Sequence, residues 1–235
     1  MNKILKISLG TVLATLPIQY ALAEPYAGLG LGFGMTTLEK QIEFNGTSSD
    51  ASDQFNSLRT TLFLGYNFRT LRRDVFLEES ASSSEFFVAL EGDVTYTFNE
   101  AESRINNWFL DQDASVKERL RYQADLFLLG KYAIKPNVTV FIGPGITVSK
   151  FETDTDSATA GELGATENQD STVSGWAIKA GVEVEICEGI NLVAAYQYAS
   201  YDRQTFTAIE PLTGSEVAVS YKPIINAVSV GVMFN

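Results

Sequence analysis

Along most of this chain apolar and polar residues alternate with a period of two. The sharpest stretch is Ala27-Gly28-Leu29-Gly30-Leu31-Gly32-Phe33-Gly34-Met35, in which every odd position is apolar and every even position is glycine. A strand of this sequence sets five apolar side chains on one face and bare backbone on the other. Glycine weakens an ordinary strand. Four in alternation fit a tightly curled sheet whose inner face leaves room for neighbours' side chains and whose outer face meets an apolar medium. Seven further segments alternate in the same way. They begin near Leu58, Phe86, Leu120, Val138, Trp176, Leu192 and Ile225, the last running to Phe234. Pro144 interrupts the fifth strand and predicts a bulge there.

Polar spans at Glu39–Asn56, Asn99–Val116, Glu152–Ser171 and Ser200–Lys222 read as long loops. Lys135-Pro136-Asn137 and Cys187-Glu188-Gly189 read as tight turns, while Arg69–Ser84 is longer than a turn requires. The apolar face is almost free of charge in all eight strands, and the other face collects the ionised residues. A soluble barrel, including a lipid-carrying one, shows the reverse. Aromatic residues gather at the strand ends. Tyr26, Tyr66, Phe68, Phe86, Tyr132 and Phe234 are assigned to one rim. Tyr96, Phe98, Tyr122, Trp176, Tyr196 and Tyr198 are assigned to the other. Two aromatic girdles around an apolar band suit a sheet in lipid, and a closed sheet leaves no unpaired edge there. The pattern predicts an all-β, eight-stranded antiparallel transmembrane β-barrel.

Residues 1–23 are set apart as a signal peptide. Lys3 and Lys6 form its positive end, Ile7 to Leu16 its mostly apolar core, and Ala21-Leu22-Ala23 its cleavage pattern. Residues 24–235 then form one barrel domain. Cleavage removes Lys3 and Lys6 and no acid, which moves the net charge from −12 to −14. That balance opposes nucleic acid as a partner. The single cysteine, Cys187, excludes an intramolecular disulfide and a cysteine-cluster metal site. Histidine is absent altogether. Its absence removes Ser-His-Asp triads, Cys-His pairs and histidine-ligated metals, so neither enzyme activity nor a cofactor is expected.

The signal peptide, the opening Tyr26-Ala27-Gly28-Leu29-Gly30, the four long loops and the Gly-rich aromatic last strand together resemble the OmpA/OmpX-like outer membrane beta-barrel family. The resemblance spans 24–235. It implies a Gram-negative outer membrane location, a lipid-embedded monomer, and delivery by the barrel-assembly machinery, which reads a terminal aromatic. Here Gly231-Val232-Met233-Phe234-Asn235 places Phe234 next to last. No stretch follows Asn235 for the peptidoglycan-binding domain that some relatives carry. The implied role is structural or surface-interactive, as adhesin or antigen, towards a surface ligand or host receptor. The alternative is a small porin-like channel for ions or small solutes.

Eight charged residues are predicted to face the lumen: Arg59, Glu91, Asp93, Arg121, Asp125, Lys179, Glu183 and Glu185. A lumen of eight strands is just filled by side chains, so mixed charges there are expected to pair. The same residues would set selectivity if a path ran through them. Glu91 and Asp93 share a face two residues apart, which suits salt-bridge partnership better than paired-carboxylate catalysis. The third loop holds six acids, among them Asp154 and Asp156, but lacks the glycine and terminal glutamate of a calcium loop and reads as solvated. Trp108 and Phe109 are candidate loop contacts for a partner.

Overall fold

The computed structural model describes residues 23–44, 47–69, 86–98, 101–107, 112–155, 169–209 and 216–235. They form ten strands: β1 (Ala23–Phe44), β2 (Thr47–Arg69), β3 (Phe86–Phe98), β4 (Ala101–Asn107), β5 (Gln112–Lys135), β6 (Val138–Thr155), β7 (Gln169–Cys187), β8 (Ile190–Tyr201), β9 (Gln204–Ile209) and β10 (Glu216–Phe234). Eight of them are barrel staves. β4 carries on from β3 along β5, and β9 carries on from β8 along β10, each after a short break. Every neighbouring pair is antiparallel, and β1 pairs β10 from Ala27↔Phe234 to Phe44↔Val217, which closes the sheet. The chain is an eight-stranded antiparallel barrel.

Inside and outside follow the two-residue period. Phe33 exposes 65 % of its surface and Ile142 63 %, and the same outward face carries Leu31, Leu64, Val94, Leu128 and Val230. An apolar surface of that extent marks contact with lipid rather than water. At one rim Tyr96 packs edge-on against Phe98 at 4.7 Å and lies 5.2 Å from Tyr122, and Trp176 lies 5.3 Å from Tyr198. Tyr66, Phe68, Phe86, Tyr132 and Phe234 are exposed at the other rim. That second rim carries the two short turns, the end that membrane barrels of this general plan turn to the periplasm. Gly189, at φ 76°, makes one of those turns, and the Asn235 amide donates to its carbonyl at 3.1 Å.

Four expectations are corrected. First, the polar spans between strands are largely strand themselves. β1 and β2 stay paired from the barrel to Phe44↔Thr47, where only Asn45 and Gly46 separate them. Asn-Gly between two runs is a strong hairpin signal, and it stands here within a span otherwise rich in Ser and Asp. The other three spans are likewise shortened by β4, β5, β6, β7, β9 and β10. Second, Tyr26 is buried inside the barrel rather than in the girdle. It shares the parity of Gly28 and Gly30, so the alternation already placed it inward. Third, Leu120, which alternation places on the outward apolar face with Tyr122, Ala124 and Leu126, points inward because the β5–β6 register shifts between Leu120 and Tyr122. Fourth, Pro144 causes no bulge: the β5–β6 register is the same at Phe127↔Gly145 and Gly130↔Ile142, and Pro144 keeps its place opposite Ile178. The expected Arg69–Ser84 connection lies, apart from Arg69, outside the described residues, as do Trp108 and Phe109.

Candidate functional site in the barrel lumen

The inward parity of β2, β3, β5, β7 and β8 brings charged and amide side chains together at mid-barrel. Lys179 of β7 donates to Glu91 Oε1 and Asp93 Oδ2 of β3, each at 2.6 Å. The Tyr26 hydroxyl donates to the other oxygen of Glu91 at 2.7 Å. Lys131 of β5 pairs with Glu183 of β7 at 2.6 Å, and its ammonium lies 4.3 Å from the centre of the Tyr26 ring. Lys179 is also 5.4 Å from the ring centres of both Phe63 and Phe127. At these distances a cation gains from the ring faces as well as from the carboxylates.

A second cluster surrounds Asp125. Gln123 donates to both its oxygens at 2.9 Å, Gln197 donates to Oδ2 at 3.0 Å, and Arg59 donates to Gln123 Oε1. Asp93 and Asp125 stand directly opposite each other across β3 and β5. Like charges so placed repel. Here Lys179 answers one and the two amides answer the other. Glycine makes room for the long side chains. A Cβ on Gly34 would come within 2.7 Å of Arg59 Cδ, and one on Gly65 would run into the Tyr26 ring.

Towards the long hairpins apolar side chains gather on the inner face, beside the buried hydroxyls of Thr36, Thr97, Ser149 and Ser200. Leu38, Leu120, Phe151, Val173, Tyr201 and Ile225, from six different strands, are each at most 3 % exposed and belong to one packed cluster. Phe151 meets Tyr201 edge-on at 6.0 Å, and the Tyr201 hydroxyl is 3.1 Å from that of Thr147. This apolar layer caps the ion-paired layer on the side of the long hairpins.

Six of the eight predicted lumen charges, Arg59, Glu91, Asp93, Asp125, Lys179 and Glu183, are buried inside the barrel. The other two are placed differently. Glu185 is exposed at the periplasmic rim, where the β7–β8 register shifts before Cys187. Arg121 is half-buried at the β5 irregularity that turns Leu120 inward. Lys131, Gln123 and Gln197 are network members of inward parity that were not among the eight predicted lumen charges, and Tyr26 is a fourth member, expected instead in the girdle. Lys131 is in step with Asp125 on β5. No group of three or more metal-ligating residues occurs among the described residues.

Residues 7–234 match the sequence model of the family described as outer membrane protein beta-barrel domain. The chain belongs to that family. Its place is therefore the bacterial outer membrane, and the lipid of that membrane surrounds its apolar face. Among solved structures, the outer membrane protein OprG from Pseudomonas aeruginosa is similar at 14 % identity and a TM-score of 0.55, over 88 % of this chain and 96 % of that one. Neisserial surface protein A is similar at 12 % identity and 0.39, over 87 % and 96 %. Ail, the attachment invasion locus protein of Yersinia pestis, is similar at 10 % and 0.36, over 87 % and 99 %. No functionally curated protein matches the chain. The first likeness supports the fold of this family member.

Proposed function

We propose that this protein is a non-enzymatic, non-conducting outer membrane barrel that presents its long hairpins for interaction at the cell surface. The observation that carries this reading is the two-tier filling of the lumen. Ion pairs at 2.6 Å cross it at mid-height, and six buried apolar side chains cap it above. Strands that run on past the aromatic rim then offer surface outside the membrane. The name of one similar structure refers to attachment and invasion, and that of another to the surface. In the same reading residues 1–23 are removed on export, Phe234 serves the assembly machinery, and the barrel acts as a monomer. Trp108 and Phe109 are retained as candidate loop contacts.

Two measurements test it. Refolded protein in planar bilayers should be silent, and so should the Asp93→Asn, Lys179→Met double variant if the apolar cap is sufficient. Bacterial cells displaying the chain should adhere to immobilised matrix proteins more than cells carrying a form with residues 39–52 deleted. Discrete openings in the wild type with selectivity altered in the variant would replace this reading by the channel. That second reading has its own support. Thr36 Oγ1, Arg59 Nε, Asp93 Oδ1 and Thr97 Oγ1 are buried without a protein partner, as groups along a narrow watered path would be.

A further inference from the structure

A depression of about 500 Å³ opens on the lipid face where β7, β8, β10 and β1 lie side by side. Its form follows from side-chain size along two neighbouring rows of the sheet. In one row Ala194 stands between Val230 and Val182, and in the next Ala180 stands beside Tyr196. The two alanines form a floor. Val230, Tyr196 and Phe33 rise around it, all exposed on the outward face.

Asn226 lies at the end of this depression nearer the long hairpins. It has outward parity on β10, between Val228 and Ile224, so a carboxamide is set within the apolar band. The Tyr196 hydroxyl donates to its Oδ1 at 2.7 Å. The two N–H donors of the same amide find no acceptor among the described residues. A donor that faces hydrocarbon without a partner is costly. Asn226 is eight residues along β10 from Phe234 in the periplasmic girdle. A spanning strand takes about 9–11 residues, so the amide sits just inside the outer end of the band. At that depth an outer-leaflet lipid joins its acyl chains to its headgroup through ester and amide carbonyls.

Farther out on this face Lys222 stands opposite Glu39, and Arg203 follows Asp202 in the chain. Among the described side chains these charges balance, so an anionic headgroup gains little from them. Discrimination between lipids falls to the chain and its linkage. The outer leaflet of a Gram-negative outer membrane is built of acylated phosphosugars whose chains carry carbonyl and hydroxyl groups near their attachment.

We infer that the depression is a binding site for one hydroxyacyl chain of an outer-leaflet glycolipid of the lipid A class. The chain lies over Ala180 and Ala194, and its linkage carbonyl or hydroxyl accepts from the Asn226 amide. Within a membrane every neighbour is apolar, so close packing on small side chains and a hydrogen bond are what single out one lipid from the rest. The site goes beyond the surface-interaction reading and does not depend on it.

The test uses the full chain, refolded in detergent micelles free of lipid and titrated with hexa-acyl lipid A, with retained lipid counted by native mass spectrometry. One molecule per barrel should be held at saturation. Ala194→Leu fills the floor without adding a polar group and should weaken retention at least about tenfold. Asn226→Leu removes one net hydrogen bond and should weaken it about three- to tenfold. Lys222→Gln with Arg203→Gln should leave it within about twofold. Far-UV circular dichroism checks that the variants fold, and Ala180→Leu replaces Ala194→Leu if that variant does not. Phosphatidylglycerol of matched chain length, retained as tightly as lipid A, would make the depression a slot for any chain and overturn the inference. Unchanged retention in the leucine variants, loss in the variant without the two cations, or no retained lipid at all would overturn it as well.

Discussion

Replacing Lys179 by methionine tests the organisation of the lumen most directly. The side chain is 6 % exposed as a residue, and its ammonium is the donor to two carboxylates at once. Methionine keeps much of the volume and the contact with Phe63 and Phe127 but removes the charge. Glu91 is left with the Tyr26 hydroxyl, and Asp93, whose Oδ1 already lacks a partner, is left facing Asp125. Breaking one side of a buried pair costs about 3–5 kcal/mol, because the surviving charge stays buried. Two stranded carboxylates place Lys179→Met at the upper end of that range. Removing all three charges together, as Lys179→Met, Glu91→Gln and Asp93→Asn, should recover most of the loss, to within about 1–2 kcal/mol of the wild type. The assay is urea unfolding of the protein in lipid bilayers, followed by tryptophan fluorescence under conditions where folding and unfolding curves coincide. A single variant that loses less than about 1 kcal/mol, the value of an exposed pair, would refute the argument that water is excluded from this tier.

Removing the Tyr26 hydroxyl as Tyr26→Phe deletes one charge-assisted hydrogen bond to Glu91 and should cost about 1.5–3 kcal/mol in the same assay. Leu31 lies mid-strand on the lipid face of β1, so Leu31→Arg should cost about 2–4 kcal/mol, whereas Glu39→Arg, beyond the rim, should cost little. Cys187 is exposed beside the periplasmic turn, so a membrane-impermeant maleimide should leave it unlabelled on intact cells and label it after permeabilisation. With Cys187→Ser as background, Ser48→Cys should label on intact cells; the opposite pattern would reverse the orientation.

The barrel was legible because its signal is repeated in every stave. Alternation fixes which face meets lipid, and Leu29, Leu64, Val94 and Val230 all emerge where parity places them. What alternation does not report is where a strand ends once it leaves the membrane. Beyond the rim both faces meet water or each other, so Thr47–Asn56 can be Ser- and Asp-rich and still be a strand. Local irregularities were the other source of error. The shift between Leu120 and Tyr122 exchanges the faces of two neighbours, and nothing in Leu120-Arg121-Tyr122 announces it. The lumen charges were legible as a set because an ionised residue on the inward parity has few places to go. Their partners were not, since pairing of Lys179 with β3 rather than β5 depends on the closure of the whole sheet.

The layering of the interior also bears on how this sheet finds its closure. Apolar staves in lipid gain little from one register over another, because every outward residue is equally at home there. The inward face distinguishes them. A one-residue slip of β7 against its neighbours would move Lys179 and Glu183 to the lipid side and bring Ile178 and Val182 into the lumen. Charges at mid-membrane cost several kcal/mol each, so such a slip is opposed far more strongly than an apolar lumen would oppose it. A two-residue slip keeps the faces but separates Lys179 from Glu91 and Asp93, and Lys131 from Glu183. The ion pairs thus act chiefly on register, and only secondarily on net stability, where burial and attraction nearly cancel. Among the described side chains, the inward ion pairs lie on the membrane side of Leu38, Phe151 and Ile225. Farther out no pairing between β2 and β4 occurs among the described residues, and apolar packing of Leu38, Phe151 and Ile225 holds the wall together there without needing a defined register between those two strands.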